Sequence, residues 1–180
     1  ARNGQLMVNQ YQETMCQSVC ILLNLEPEGM LKDEFVLEES ISIASGLAQN
    51  LIEQRVQVSL VSNGMDYLED DTVCVDEGMG QAHMNAINTA LARIDLSKQS
   101  KSFADMLMSL GKGSKAAENW AQAGKQDVLY VMISHSRRKD LQLAFDSLTD
   151  KNSMCVWILP FYYEQETSLD YTCASLVEWE

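Results

Sequence analysis

Three short stretches of this sequence hold the side chains best suited to chemistry. Asn24-Leu25-Glu26-Pro27-Glu28 follows an apolar run and sets polar or acidic groups at alternate positions. Asn63-Gly64-Met65-Asp66 and then Glu69-Asp70-Asp71 follow a second apolar run, and Ser134-His135-Ser136 follows a third. Paired carboxylates with a nearby His suit a hard divalent cation, which takes oxygen ligands in a fixed array. They equally suit the docking of a basic partner, or form nothing more than a solvated acidic rim. A Ser or Cys nucleophile would need a His base. The candidates are Ser134 or Ser136 with His135, or a cysteine with His83. Adjacent Ser and His point to opposite sides of an extended chain, and no Gly-x-Ser-x-Gly elbow is present. No catalytic residue is therefore assigned.

Phosphate binding finds little support. A dinucleotide site needs glycines where the first strand turns into its helix, so that the backbone can approach the pyrophosphate. That turn offers only Gly29 beside two carboxylates, and Gly78-Met79-Gly80 lacks a third glycine. Gly111-Lys112-Gly113-Ser114 has neither the spacing nor the preceding strand of a phosphate loop. Cys16 and Cys20 are four apart, but no second Cys or His pair completes a zinc site. The five cysteines (Cys16, Cys20, Cys74, Cys155, Cys173) are expected to be free buried thiols in a reducing compartment.

The elements that position these stretches follow from hydropathy. Ser18 to Leu25 is almost wholly apolar, as a strand buried on both faces must be. Asp33 to Arg55 is predicted as a helix, with Leu37, Ile41, Ala44, Ala48 and Leu51 on one stripe. Gln57 to Ser62 is predicted as a strand, with Asn63-Gly64 as a turn. A short strand is expected at Thr72 to Val75. A helix follows over Gln81 to Ile94 and places His83 on its apolar face, in a hydrogen-bonded core or capping role. Helical pieces at Ser102 to Leu110 and Ser114 to Ala123 precede a strand at Asp127 to Ile133. A helix over Arg137 to Leu148 leads to a strand at Met154 to Leu159, stopped by Pro160, and a last strand over Thr172 to Glu178. Trp157 is expected in the core, with Trp120 and Trp179 partly exposed. Strands alternating with helices specify a Rossmann-like three-layer α/β/α sandwich with a mainly parallel sheet. Ligands of such folds bind at the carboxyl ends of the strands. All three polar stretches fall there.

Composition bounds the function. The chain has 180 residues, enough for one domain with a real core, and 46% of them are hydrophobic, which excludes a disordered acidic tail. The net charge of −13 disfavours nucleic acid and anionic membranes as partners. No apolar run reaches the roughly 18–20 residues of a membrane span. The chain starts at Ala1-Arg2-Asn3-Gly4 without Met or a signal region, and is expected to be a piece of a longer protein.

Several ordered runs resemble one family. Ala1-Arg2-Asn3-Gly4-Gln5-Leu6 leads into a strand ending at Tyr11. The apolar Val19 to Leu25, the helix Glu39 to Leu51 and the run Val58-Ser59-Leu60-Val61-Ser62-Asn63-Gly64 follow. Gly80-Gln81-Ala82-His83 then leads into Ala90-Leu91-Ala92-Arg93-Ile94. In this order they resemble the C-terminal part of the bacterial DUF58 family, a von Willebrand factor A-like domain. The resemblance covers nearly the whole chain. It implies a single A-like domain over 1–180, with 1–14 entering from an absent upstream β-domain and 18–180 forming the α/β core. It also implies a cytoplasmic domain of a membrane-anchored bacterial protein, and a MoxR-type AAA ATPase as protein partner. The wider A-domain family holds Mg²⁺ or Mn²⁺ through Asp-x-Ser-x-Ser after its first buried strand, completed by a Thr and a further Asp. Here that motif falls on Asn24, Glu26 and Glu28, and the later Asp falls at or near His135. No position keeps its type, and the loop from Glu77 to Gln81 supplies no Thr equivalent. The expectation is a degenerate metal site, no cofactor and a non-catalytic interaction module. Its contact edge would be Glu26, Glu28, Asp66, Glu69, Asp70, Asp71, Ser134 and His135. The alternative is a divalent-metal-dependent (Mg²⁺ or Ca²⁺) binding or hydrolytic domain using Glu26, Glu28, Asp66 and His135.

Overall fold

The computed structural model describes residues 18–28, 33–110, 128–150 and 154–160, and the backbone of 176–179. The strand read at Gln5 to Gln12, the helical piece Ser114 to Ala123, Gly29, Trp120, Cys16, Cys173 and the Gly111–Gly113 run lie outside the described residues.

The most apolar segment forms the centre. All six residues of β1 (Ser18–Leu23) are buried. Val19, Ile21 and Leu23 face one layer, while Cys20 and Leu22 face the other. β1 pairs in parallel with β2 (Gln57–Met65) on one side and β4 (Val128–Ile133) on the other. β5 (Cys155–Pro160) and β6 (Leu176–Trp179) continue the parallel sheet. β3 (Thr72–Gly78) closes the far side antiparallel to β2. The order is β3-β2-β1-β4-β5-β6.

Helices cover both faces. α1 (Glu34–Glu53) and α2 (Gln81–Ala92) close one core with Leu37, Ala44, Ala48, Ile87 and Leu91. α3 (Phe103–Leu110) and α4 (Lys139–Thr149) close the other with Phe103, Leu107, Leu141 and Phe145, packed against Trp157 of β5 among others. The chain is thus a Rossmann-like three-layer α/β/α sandwich with a mainly parallel sheet. Trp157 is fully buried against Phe145, with ring centroids 5.4 Å apart. Its indole N–H donates to the Ser134 carbonyl at 3.0 Å.

Local chemistry sets the element ends. Asp33 caps α1 by accepting from the Val36 N–H. The helix stops at Glu53, earlier than Arg55, because Arg55 adopts a left-handed φ of 64°. The Arg55 and Val56 N–H groups then fold back on the Ile52 and Leu51 carbonyls, a Schellman closure without glycine.

Asn63-Gly64 is not a turn. It lies inside β2, and the reversal comes later, at Asp66 to Asp71. The Asn63 side chain bonds distant backbone instead of its own, so it does not nucleate a local turn. Gly64 is required by proximity: a Cβ there would lie 2.7 Å from Leu25 Cδ1 and 3.0 Å from Ile94 Cγ2. β3 consequently runs three residues beyond Val75. Pro160 does not stop β5 before itself but is its last residue.

Cys20, Cys74 and Cys155 are free thiols, and Cys74 is exposed where burial was expected. Burial pushes the Cys20 thiol up to about 12.

No helix among the described residues is long and apolar enough to cross a membrane. His83 does hold α2 onto the sheet. Its Nε2 lies 2.7 Å from the Val58 carbonyl, so that nitrogen carries the proton and donates. The ring covers Gly78, where a Cβ would meet His83 Nδ1 at 2.5 Å. Gly78→Ala is expected to destabilise the chain by about 1–3 kcal/mol through overpacking. Adding His83→Ala should recover part of that loss in urea unfolding, and no recovery would mean the clash lies elsewhere.

Candidate functional site

The strand order reverses between β1 and β4, which opens a crevice at their carboxyl ends. The first residues past each strand meet there. The Asn24 amide donates to Ser134 Oγ at 2.9 Å. Its carbonyl oxygen accepts from the Glu26 N–H and from Asn63 Nδ2, both at 3.0 Å. Asn63 Oδ1 accepts from the Leu25 N–H at 2.8 Å, and Asn63 Nδ2 also donates to the Lys101 carbonyl at 2.9 Å. Asn24, Asn63 and Ser134 are each 0% exposed. The ends of β1, β2 and β4 are therefore tied by one neutral buried network, which no surface partner touches directly.

The two glutamates of the first stretch stabilise neighbouring segments. Glu26 Oε2 accepts from the Phe103 N–H at 3.1 Å, at the start of α3. Negative charge is favoured at that end by the helix dipole and by its unpaired N–H groups. Glu26 Oε1 lies 3.5 Å from the Arg138 guanidinium, which forks onto Asp140. Glu28 accepts from the Arg137 N–H at 3.1 Å, joining the loop after β1 to the loop after β4. Around them lies a cleft of about 440 Å³, lined by Glu26, Glu28 and Arg138 with Ser97, Gln99 and Ser100.

His135 stands close to this join. Burial is the main cause of its lowered pKa, opposed by the charges of Glu28 and Asp33. Its Nδ1 and the hydroxyl of Ser136 are buried without hydrogen-bond partners, and Ser134 Oγ donates to the Ser136 carbonyl. The Ser–His pairing that a nucleophile needs is not formed.

Asp66 belongs to a different structure. It caps the β2–β3 turn: Oδ1 accepts from the Leu68 and Glu69 N–H groups at 2.7 and 3.1 Å. Arg93 pairs with it at 2.8 Å and with Glu69 at 3.0 Å. Lys98 pairs with Asp70 at 2.7 Å, and Lys101 with Asp71 at 2.8 Å. Glu26 and Glu28 thus share one cleft, whereas Asp66, Glu69, Asp70 and Asp71 share a separate turn with their own cations. Among the described residues no group of three or more His, Cys, Asp or Glu side chains is placed to hold a metal ion.

Sequence reading missed the neutralising partners, because Arg93, Lys98 and Lys101 lie some 25–30 positions downstream of the acids. It also missed Arg138, and it placed Asn63 at the edge as part of a turn without its bonds to Asn24, Leu25 and Lys101. The signal for Tyr67 and Leu68 was present: two large apolar residues inside an acidic turn. They are 58% and 62% exposed.

No protein-family model matches the chain, and no curated protein does. Among solved structures, the pilus adhesin SpaC from Lactobacillus rhamnosus GG in its open conformation is similar, with a TM-score of 0.37 and 12% identity. The match covers 69% of this chain and 15% of the adhesin, so the chain spans a small fraction of that protein's length. A likeness at this level adds nothing to the reading of the site.

Two outcomes follow from the geometry. Glu26→Ala should cost about 1–2 kcal/mol, as a lost helix cap does. It should also speed amide hydrogen exchange across α3, whereas Glu26→Gln, which keeps an acceptor for the Phe103 N–H, should do so less. Exchange unchanged in Glu26→Ala would remove the capping role.

The acid sensitivity should have two limbs. Asp66 is raised by desolvation, but the Leu68 and Glu69 N–H groups and Arg93 outweigh that and lower it below 3.8. Hydrogen bonds from Lys101 and Arg138 lower Asp71 and Asp140. Stability from these groups is complete above 3.8 and is lost as pH falls through their folded values. His135, lowered from 6.5, contributes stability above 6.5 that is lost as pH falls through its own folded value. Thermal melts across this range should lose the upper limb in His135→Gln and keep the lower one.

Proposed function

We propose that the chain is a non-catalytic protein-interaction module of a DUF58-type bacterial protein, built on a von Willebrand factor A-like domain. Its partner in this reading is a MoxR-type AAA ATPase, and the contact surface is the carboxyl edge of the sheet. The observation that carries the reading is the commitment of the edge carboxylates. Glu26 caps α3 and faces Arg138, Glu28 bridges two loops, and Asp66 caps a turn and pairs with Arg93. Carboxylates held in this way position loops, and positioned loops are what a docking surface needs. Asn24 stands where the A-domain motif has its Asp, which favours a neutral junction over a metal-centred one.

The surface differs from a bare acidic rim. Ser134 is fully buried and contributes only by holding the loop. The exposed part is Glu28, the Tyr67 to Asp71 turn, and Phe35 at the start of α1.

Titration of a purified MoxR-type ATPase onto the chain should saturate. Charge reversal at Glu69, Asp70 and Asp71 together should weaken it. Calorimetry with Mg²⁺, Mn²⁺ and Ca²⁺ should show no binding tighter than about 1 mM. A tighter isotherm that vanishes in Glu26→Gln/Glu28→Gln would overturn this reading for the metal-dependent one.

A further inference from the structure

The β2–β3 turn is built more firmly than a connecting loop requires. Every backbone N–H from Asp66 to Asp70 has an acceptor. The Asp66 N–H bonds the Asp71 carbonyl, Tyr67 bonds Arg93, and Asp70 bonds Asp66. Leu68 and Glu69 bond the Asp66 carboxylate. Asp70 takes a left-handed φ of 54°, a conformation Asp tolerates. The Lys98 ammonium also reaches the Asp66 carbonyl, at 3.2 Å. On this frame Tyr67 and Leu68 are both more than half exposed, next in sequence to Glu69, Asp70 and Asp71.

Other large apolar side chains are exposed singly on separate elements, as Phe35, Met79 and Leu143 are. Single exposed residues are ordinary on any surface. Two adjacent ones on a fixed tip have the form of an anchor: their geometry is set before contact, so little ordering remains for binding to impose.

We infer that Tyr67 and Leu68 form the anchor of the docking surface, and that the partner segment they engage is apolar with a basic rim. This inference rests on the interaction-module reading and names the chemistry of its partner. The charge decides the occupant. Asp66, Glu69, Asp70, Asp71 and Asp95 outnumber Arg93, Lys98 and Lys101 around the turn. The side chains of Glu69, Asp70 and Asp71 are 73%, 80% and 71% exposed. A second copy of a chain carrying −13 would be repelled, whereas Lys and Arg flanking an apolar pocket would be attracted.

The test is an NMR titration of the ¹⁵N-labelled chain with a 14-residue amphipathic peptide of Leu and Lys. The same peptide with Glu for Lys serves as control. Amide shifts are expected at 66–71 and 93–101, with affinity at least tenfold weaker in Tyr67→Ala/Leu68→Ala. Both side chains are exposed, so the melting temperature of that variant should hold. Glu69→Gln/Asp70→Gln should reduce the salt dependence, and the Glu peptide should not bind. Shifts at the cleft of Glu26 and Glu28 that ignore the Tyr67/Leu68 change would overturn this inference and leave the interaction module standing. Shifts spread over the acidic start of α1 would overturn it as adventitious charge pairing. No binding anywhere would overturn this inference, while the interaction module is decided separately by the ATPase titration.

Discussion

The Asn24 amide is the junction on which the site depends. It both donates and accepts, and it joins the ends of β1, β2 and β4 through Ser134, Asn63 and the Glu26 N–H. A neutral group can be fully buried there without a counter-ion. A carboxylate in the same place would bury a charge and call for a cation beside it. The identity of this one side chain therefore determines whether the crevice between β1 and β4 is held by hydrogen bonds alone or needs an ion. With the junction neutral, Glu26 and Glu28 are released to act one shell further out, on α3 and on the loop before α4.

The acids further along follow the same logic with charge in place of neutrality. The turn after β2 carries four carboxylates within six residues, a density that would repel itself in isolation. Arg93, Lys98 and Lys101 come from the end of α2 and the segment after it, and bring three cations to the same spot, each within ion-pair distance of at least one of the four acids. Exposed pairs like these add little stability one by one. As a set they fix the shape of the turn, and through it the direction of Tyr67 and Leu68.

Local signals in the sequence were sufficient for the sandwich. The run Val19 to Leu23 fits a strand buried on both faces, and the Leu37, Ala44, Ala48 stripe fits the apolar face of a helix. What failed was any judgement that needed tertiary knowledge. Asn63-Gly64 has the composition of a turn, yet its glycine answers to Leu25 and Ile94 and its amide to Asn24 and Lys101, all distant in sequence. The carboxylates read as one acidic edge because their cations are contributed by other elements. The candidate site was legible as a location, at the strand ends, but not as a wiring diagram. Hydrogen-bond partners more than a hundred residues apart, such as Asn24 and Ser134, leave no pattern in spacing.

The antiparallel β3 has a consequence for the molecule's company. Among the described residues it is the outer strand, and such a strand offers a row of backbone groups to any extended chain that drifts past. Its register against β2 slips between Val58 and Leu60 and again beyond Val61, which bends the border. Asp76 and Glu77 add charge along it. An intruding strand would meet a warped track carrying like-signed side chains, so this rim resists fibril-type stacking even where the rest of the sheet is rich in aggregation-prone valine, isoleucine and leucine.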